Sequence, residues 1–188
     1  MQTTLKRLIK LTAGYSLVTL IGPLFTILLF PLYTRVLEPA DYGIVEKALT
    51  FNSLLSIFVT MGMDQALSAY FFTGDQAFRR NLVTTAVISV SVVSIVIAVL
   101  VALFANKIAQ ILFQSVEYST LVYLIALLLI SAPLYGLTAS ALRLNMGIKL
   151  VNTLGFSYLL SFVTCNIIFV LILRWNATGI VAANAIAN

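Results

Sequence analysis

The stretch "VISVSVVSIVIAVLVALFA", residues 87–105, contains no charged residue and is apolar on every face. It is much longer than the roughly ten-residue strands of a membrane barrel. About 20 apolar residues allow a helix to cross a hydrocarbon layer of roughly 30 Å. Its many β-branched residues favour strands in water, but an unpaired backbone group in lipid costs several kcal/mol, so intrahelical hydrogen bonds prevail. The stretch predicts a membrane-spanning helix.

The same pattern recurs along the chain when the sequence is divided at its charged residues. The pattern predicts an all-α membrane protein, a polytopic helical bundle of five spans, with the second span the least apolar. A sixth span starts near the end of the chain and looks cut short. The predicted spans cover about 11–34, 44–70, 81–106, 118–142 and 150–173, with the start of the sixth at about 176–188.

The composition excludes other classes of protein. Of the 188 residues, 61% are hydrophobic and only 9% are charged, too few to cover a soluble domain. The net charge is +5, but the basic residues occur singly or in pairs beside apolar runs rather than as a stripe on one face. We therefore expect membrane lipids as the surroundings and no nucleic acid as a partner.

The side chains that hold metals or perform catalysis are scarce. The chain has no His and a single Cys, Cys165, inside an apolar run, so we expect no metal and no cofactor. A membrane enzyme acting on a sugar phosphate would need clustered carboxylates and a divalent metal. Asp41 and Glu46 lie close together, but no second acidic pair accompanies them. The sequence favours a protein that is not an enzyme.

The basic residues also predict the orientation. With the N-terminus inside, seven of them fall in inner segments: Lys6, Arg7, Lys10, Arg79, Arg80, Arg143 and Lys149. The outer segments contain four: Arg35, Lys47, Lys107 and Arg174. The excess favours a cytoplasmic N-terminus.

The polar segment "TRVLEPADYG", residues 34–43, is then the outer turn between the first two spans. Pro39 and Gly43 are expected to end one helix and to permit the reversal. Asp41 is expected to cap the second helix, with Glu46 in its first turn.

With these boundaries in place, the first 80 residues resemble the N-terminal half of polysaccharide/O-antigen (Wzx-like) flippases. These belong to the multidrug/oligosaccharidyl-lipid/polysaccharide exporter superfamily. The resemblance rests on "YTRVLEPADYG" at 33–43, "TMGMDQALSAYFF" at 60–72, and the pair Arg79-Arg80 that opens the third span. One departure is that Ser68 and Ala69 stand where family members often carry a basic residue.

The resemblance implies two similar six-helix lobes in a fold like that of multidrug and toxin exporters, of which residues 1–188 would form the N-terminal transmembrane lobe. The lobes would rock to move a lipid-linked oligosaccharide across a bacterial or archaeal cytoplasmic membrane, for the biosynthesis of lipopolysaccharide or another surface polysaccharide. The implied partners are this substrate, the missing C-terminal lobe, a polysaccharide polymerase and glycosyltransferases.

Charged side chains within a membrane are candidates for function, because they are costly to insert. Lys47, Arg35 and Arg143 are candidates to bind the pyrophosphate of the substrate. Lys47 and Arg35 have a structural alternative, in which they extend to the headgroups as interfacial anchors. Asp64 is a candidate inner gate through an ion pair with Arg79, Arg80 or Arg143, and a capping role is the alternative.

Polar uncharged residues form a second candidate set. Asn52, Ser53, Ser56 and Thr60 recur at helical spacing, so they form a stripe along the second span. The stripe could bind sugar hydroxyls, with Asn52 and Ser56 as the substrate-binding members. The alternative is hydrogen bonding to a neighbouring helix.

Helix breakers inside two spans are candidate hinges. Pro23 and Pro31 interrupt the first span, and Pro133 and Gly136 interrupt the fourth. Proline removes a backbone hydrogen bond and kinks a helix. A static kink that improves packing is the alternative to a hinge.

The alternatives to a flippase are a cation-coupled multidrug exporter of the same superfamily and a non-transporting membrane scaffold or fragment. Exporters of that kind commonly need an acid inside the first helix, and residues 11–34 contain none. The identity of the sugar and of any coupling ion is left open.

Overall fold

The computed structural model describes residues 31, 33, 34, 36–145 and 148–188. The predicted first span, 11–34, falls almost entirely outside these residues, as do Pro23 and Arg35. The division into five spans and the start of a sixth therefore stays a prediction.

The described residues form helices joined by short connections, with no strand among them. In chain order they are α1 (Pro39–Thr60), α2 (Met63–Tyr70), α3 (Gln76–Leu103), α4 (Ala105–Phe113), a 3₁₀ turn (Val116–Tyr118), α5 (Ser119–Leu144), α6 (Ile148–Asn166), a π-helical segment (Ile167–Ile172) and α7 (Asn176–Ala187). Within the described part of the chain, four segments are long and apolar enough to cross a membrane: Pro39–Thr60, Gln76–Leu103, Val116–Leu144 and Leu150–Ile172. The predicted class, an all-α polytopic membrane protein, is confirmed.

The start of α1 corrects the expected roles in the turn. Glu38 is the N-cap residue and Pro39 is the first helical residue, where its missing N–H costs nothing. Asp41 lies in the first turn and accepts a hydrogen bond of 3.2 Å from the Glu38 N–H through Oδ2. Pro39 therefore opens α1 rather than ending the preceding helix, and Asp41 caps α1 as the third-residue member of a capping box rather than as the N-cap residue. Gly43 and Glu46 both lie inside α1 beyond its first turn.

The predicted second span, 44–70, consists of two helices rather than one. Met61 and Gly62 both have left-handed backbone conformations, with φ of 46° and 72°. Two successive residues of this kind end α1 at Thr60 and let α2 begin at Met63. Gly62 suits its position, because a side chain there would be strained.

The third predicted span, 81–106, is also bounded differently. The helix α3 begins at Gln76, where the Asp75 side chain accepts a hydrogen bond of 2.9 Å from the Phe78 N–H. It ends at Leu103, and α4 follows after Phe104. The short helix α4 buries three residues and leaves Lys107 and Ile111 exposed.

The helix α5 lies at the centre of the described bundle. It packs against α1, α2, α3, α4, α6 and α7. Its buried residues lie along most of its length: Leu121, Val122, Ile125, Ala126, Leu128, Leu129, Pro133, Leu137 and Ala141. The Ser131 hydroxyl donates a hydrogen bond of 3.2 Å to the Ala185 carbonyl and so ties α5 to α7.

The helix α7 covers the predicted start of the sixth span and is held by a close backbone approach. A Cβ atom at Gly179 would lie 3.2 Å from the Phe169 carbonyl carbon and oxygen, so only glycine fits there without a shift of the backbone. The rings of Phe169 and Trp175 stack at 5.1 Å across the turn that precedes α7. Small residues permit this approach, as they do in many membrane helices.

Candidate functional site

The predicted substrate-binding residues of α1 occupy different sides of the helix. Lys47 is exposed, whereas Asn52 and Ser56 are half-buried beside the buried Ala48 and Val59. At the α-helical turn, Lys47 and Asn52 are about 140° apart and Lys47 and Ser56 about 180° apart. The structure therefore does not bring Lys47 together with these two residues on one surface of α1.

The polar stripe itself is divided by its hydrogen bonds. Ser53 donates to the Leu49 carbonyl at 2.8 Å and Thr60 to the Ser56 carbonyl at 3.0 Å, both within α1. Asn52 differs, because its Oδ1 is buried and has no hydrogen-bond partner. Within the stripe, Asn52 thus retains a buried acceptor for another molecule or another helix.

The exposed side of α1 has an unusual composition for a surface in lipid. Lys47, Thr50 and Ser53 are exposed in its middle part, followed by the exposed apolar residues Leu54 and Phe58. The span Pro39–Thr60 has a mean hydropathy of 1.2, against 2.0 for Leu150–Ile172, although 22% of each is buried. Because the two spans are equally buried and α1 is less apolar, α1 presents more polar surface than Leu150–Ile172 does.

The charged residues of the predicted gate are not paired. Asp64, in the first turn of α2, has a buried Oδ1 without a hydrogen-bond partner. Arg143, at the end of α5, donates to the Ala139 carbonyl and the Ser140 hydroxyl, both at 3.3 Å. Within the described part of the chain, no hydrogen bond joins Asp64 to Arg79, Arg80 or Arg143. The gate stays a prediction.

Arg79 and Arg80 instead line a pocket that sequence reasoning did not find. Arg79 is half-buried, and its guanidinium carbon lies 5.6 Å from the ring centres of both Phe71 and Phe72. Arg80 is exposed at the same end of α3. The sequence contains two aromatic residues before the turn and two arginines after it, but only the fold shows that Arg79 contacts both rings.

A buried polar contact at the opposite end of the bundle also escaped the sequence analysis. The Tyr33 hydroxyl donates a hydrogen bond of 2.6 Å to Asn166 Oδ1, and both residues are buried. The Asn166 Nδ2 donates in turn to the Phe162 carbonyl at 2.8 Å. The asparagine inside the apolar run that ends α6 was the available signal.

The candidate hinges lie in different surroundings. Pro133 is buried within α5, which continues as a helix through it, and a Cβ at Gly136 would meet no atom within 4 Å. Gly136 is therefore not a point of close helix contact. Pro31 is exposed, and its carbonyl accepts a hydrogen bond of 3.0 Å from the Thr34 hydroxyl. Whether any of them acts as a hinge stays a prediction.

Comparison with known families supplies the decisive observation. The model of the family described as "Polysaccharide biosynthesis protein" matches residues 8–188, almost the whole chain. The protein belongs to this family. It is the family of polysaccharide flippases within the multidrug/oligosaccharidyl-lipid/polysaccharide exporter superfamily, so the predicted resemblance is confirmed. No curated protein and no solved structure matches the chain.

Membership in the polysaccharide biosynthesis protein family, together with the apolar helices, makes this a multi-pass membrane protein with a transport role in polysaccharide biosynthesis. Members of the family are transporters rather than enzymes. Among the described residues, no group of three His, Cys, Asp or Glu side chains is placed to hold a metal ion.

Proposed function

We propose that this protein flips a lipid-linked oligosaccharide, a polyprenyl-pyrophosphate sugar intermediate, across the cytoplasmic membrane for the synthesis of a surface polysaccharide. The family match over residues 8–188 supports a transporter for this class of pathway. The lipid-linked substrate, the flipping mechanism and the cytoplasmic membrane are proposed, whereas the family match supports the transport role.

The observation that carries the proposal is the polar exposed side of α1. A charged side chain such as Lys47 is costly to place against lipid tails, at about 2.5–3.5 kcal/mol on insertion scales when it is central. Exposed Thr50 and Ser53 extend the polar area along the same helix. This composition fits a wall of a water-filled cavity better than a surface against lipid.

In the proposed mechanism, the cavity lies between this lobe and a second, similar lobe. Lys47 attracts the pyrophosphate, and the hydroxyls of Thr50 and Ser53 contact the sugars while the lipid tail remains in the bilayer. Arg35 and Arg143 are the other basic candidates, near the two ends of the path. Rocking of the lobes exposes the cavity to each side in turn, as in other transporters built from repeats.

Asn52 and Ser56 enter the proposal in a different way. They are half-buried beside Ala48 and Val59 of the same helix, so they are less accessible to substrate than Lys47 in the described conformation. They would become more accessible if α1 moved away from the helices that pack against it. The unpartnered Asn52 Oδ1 would then be free to accept a hydrogen bond from a sugar hydroxyl.

The orientation in the proposal is a cytoplasmic N-terminus, which places the start of α1 and the end of α3 outside. Arg79, Arg80 and Arg143 then lie on the cytoplasmic side, in agreement with the excess of basic residues there.

The test is translocation of a fluorescent polyprenyl-pyrophosphate sugar by the full-length protein in proteoliposomes. Lys47→Ala should lower the rate about tenfold or more, the usual effect of losing a charge-assisted hydrogen bond. The matched control is Lys107→Ala, which removes an exposed lysine from α4 at the same end of the bundle. The control should flip at the wild-type rate.

Both variants must insert and purify like the wild type. Wild-type translocation by Lys47→Ala would remove Lys47 from the site. An equal loss in both variants would mean that general positive charge, rather than a cavity residue, governs the rate.

A further inference from the structure

A pocket of about 480 Å³ opens between the N-terminal end of α3 and Asn145, the residue that follows α5. We call it the arginine pocket. Its polar lining consists of Gln76, Arg79, Arg80, Thr84 and Asn145, and Phe71 closes one side. It is separate from the exposed side of α1 on which the proposed transport function depends.

The length of α3 determines the depth of this pocket in the membrane. At 1.5 Å per residue, its 28 residues extend about 42 Å, whereas the hydrocarbon layer is about 30 Å thick. The charge-free run starts at Asn81 and continues beyond the other end of the helix. The excess length therefore lies at the Gln76 end, which places Arg79 and Arg80 among the lipid headgroups.

Among the described residues, Arg79 has aromatic neighbours but no acidic partner. Phe71 is only 1% exposed, and its ring and that of Phe72 support the guanidinium through cation–π contacts. The Arg79 Nε is buried and makes no hydrogen bond. A buried donor of a charged group without an acceptor is unfavourable, so the pocket is incomplete as it stands.

We propose that the arginine pocket binds the phosphodiester headgroup of an anionic membrane lipid. Arginine presents a planar set of donors that matches phosphate oxygens in two-point contacts. Arg79 supplies a fixed guanidinium and Arg80 a second positive charge on the next residue. The amides of Gln76 and Asn145 and the hydroxyl of Thr84 add neutral donors for the glycerol and the remaining oxygens.

The experiment measures lipid retained by the full-length protein in mild detergent, by native mass spectrometry with added phosphatidylglycerol and, in a parallel sample, with an added polyprenyl pyrophosphate. The double variant Arg79→Gln/Arg80→Gln should lose bound phosphatidylglycerol about tenfold or more, since both charge-assisted contacts are removed. The control is Arg174→Gln. Arg174 is an exposed arginine that does not line the pocket and has no role in the proposed transport path, so this variant should retain the lipid.

A conservative variant separates a built site from simple charge attraction. Arg79→Lys keeps the charge but loses the planar donors and the stacking on Phe71 and Phe72. It should bind phosphatidylglycerol more weakly than the wild type does. Unchanged thermal melting of Arg79→Lys would show that the loss of lipid does not come from misfolding.

Three outcomes would overturn the proposal. One is equal retention of lipid by the double variant and Arg174→Gln. Another is full competition by inorganic phosphate at the concentration of the lipid, which would make this a site for a free anion. The third is loss of a polyprenyl pyrophosphate with phosphatidylglycerol spared, which would assign the pocket to the transport substrate. Translocation by Lys47→Ala does not enter this measurement, so the two proposals fail separately.

Discussion

The helices α3 and α5 are similar in length but differ in what surrounds them. The α3 span has a mean hydropathy of 3.0 and is 28% buried, whereas the span that contains α5 has a mean hydropathy of 2.1 and is 44% buried. In a soluble protein the more buried helix would be the more apolar. Here the order is reversed, because lipid is as apolar as the side chains and helices associate through packing and hydrogen bonds.

This contrast separates two kinds of apolar side chain. Those exposed on α3, such as Val92, Ile95 and Val99, are expected to face lipid and need only be apolar. Those on α5 that contact other helices, such as Ile125 and Leu129, must also fit in shape.

The largest expected effect comes from shortening a packed side chain of α5. Leu129 is 0% exposed, so Leu129→Ala should lower the free energy of unfolding by about 2 kcal/mol or more through the cavity that it leaves. The measurement is unfolding by sodium dodecyl sulfate in mixed micelles.

The matched control for that change is Ile95→Ala on α3. Ile95 is 50% exposed, and lipid tails would fill the space, so its cost should be well below that of Leu129→Ala. Similar losses in the two variants would mean that α3 and α5 are packed alike and would remove the contrast.

A smaller effect is expected from adding a methyl group to glycine. Gly179→Ala places a Cβ about 3.2 Å from the Phe169 backbone, and overpacking of this kind costs about 1–3 kcal/mol. Gly136→Ala adds the same methyl to α5 where no atom lies within 4 Å, so it should be neutral or slightly stabilising. Thermal melting of both variants tests this, and destabilisation by Gly136→Ala would show that α5 is packed more tightly than the structure indicates.

The smallest expected effect concerns hydrogen bonds of serine. Ser131 on α5 donates to Ala185 of α7, whereas Ser91 on α3 donates to Val87 of its own helix at 2.7 Å. Hydrogen bonds between membrane helices contribute about 0.6 kcal/mol on average. Ser131→Ala should lose about this much in the same unfolding assay. Ser91→Ala should lose nothing measurable, and a loss as large as that of Ser131→Ala would mean that a bond within one helix counts as much as a bond between two.

Much of the architecture could be predicted from the sequence because charge is confined to the ends of apolar runs. The class of fold and the family followed from that pattern and from "YTRVLEPADYG". The division of the second predicted span at Met61 and Gly62 did not follow, since a left-handed backbone leaves hydropathy unchanged. In "TMGMD", the glycine was the only indication that the span is divided.

The candidate site was harder to predict than the fold. Lys47 and Ser56 were both predicted to bind the substrate, although nine residues of helix place them on opposite sides of α1. Counting the turn would have separated them. By contrast, Arg79 approaches Phe71 and Phe72 because of the turn between α2 and α3, and no rule of residue spacing predicts this contact.

The hydrogen bond from Tyr33 to Asn166 joins residues that are 133 positions apart. Ribosomes add about 5–20 residues per second. Tyr33 therefore leaves the ribosome on the order of ten seconds before its acceptor does. During that interval the nascent chain must remain in the bilayer without this hydrogen bond. The end of the bundle near Tyr33 is therefore completed late in biogenesis.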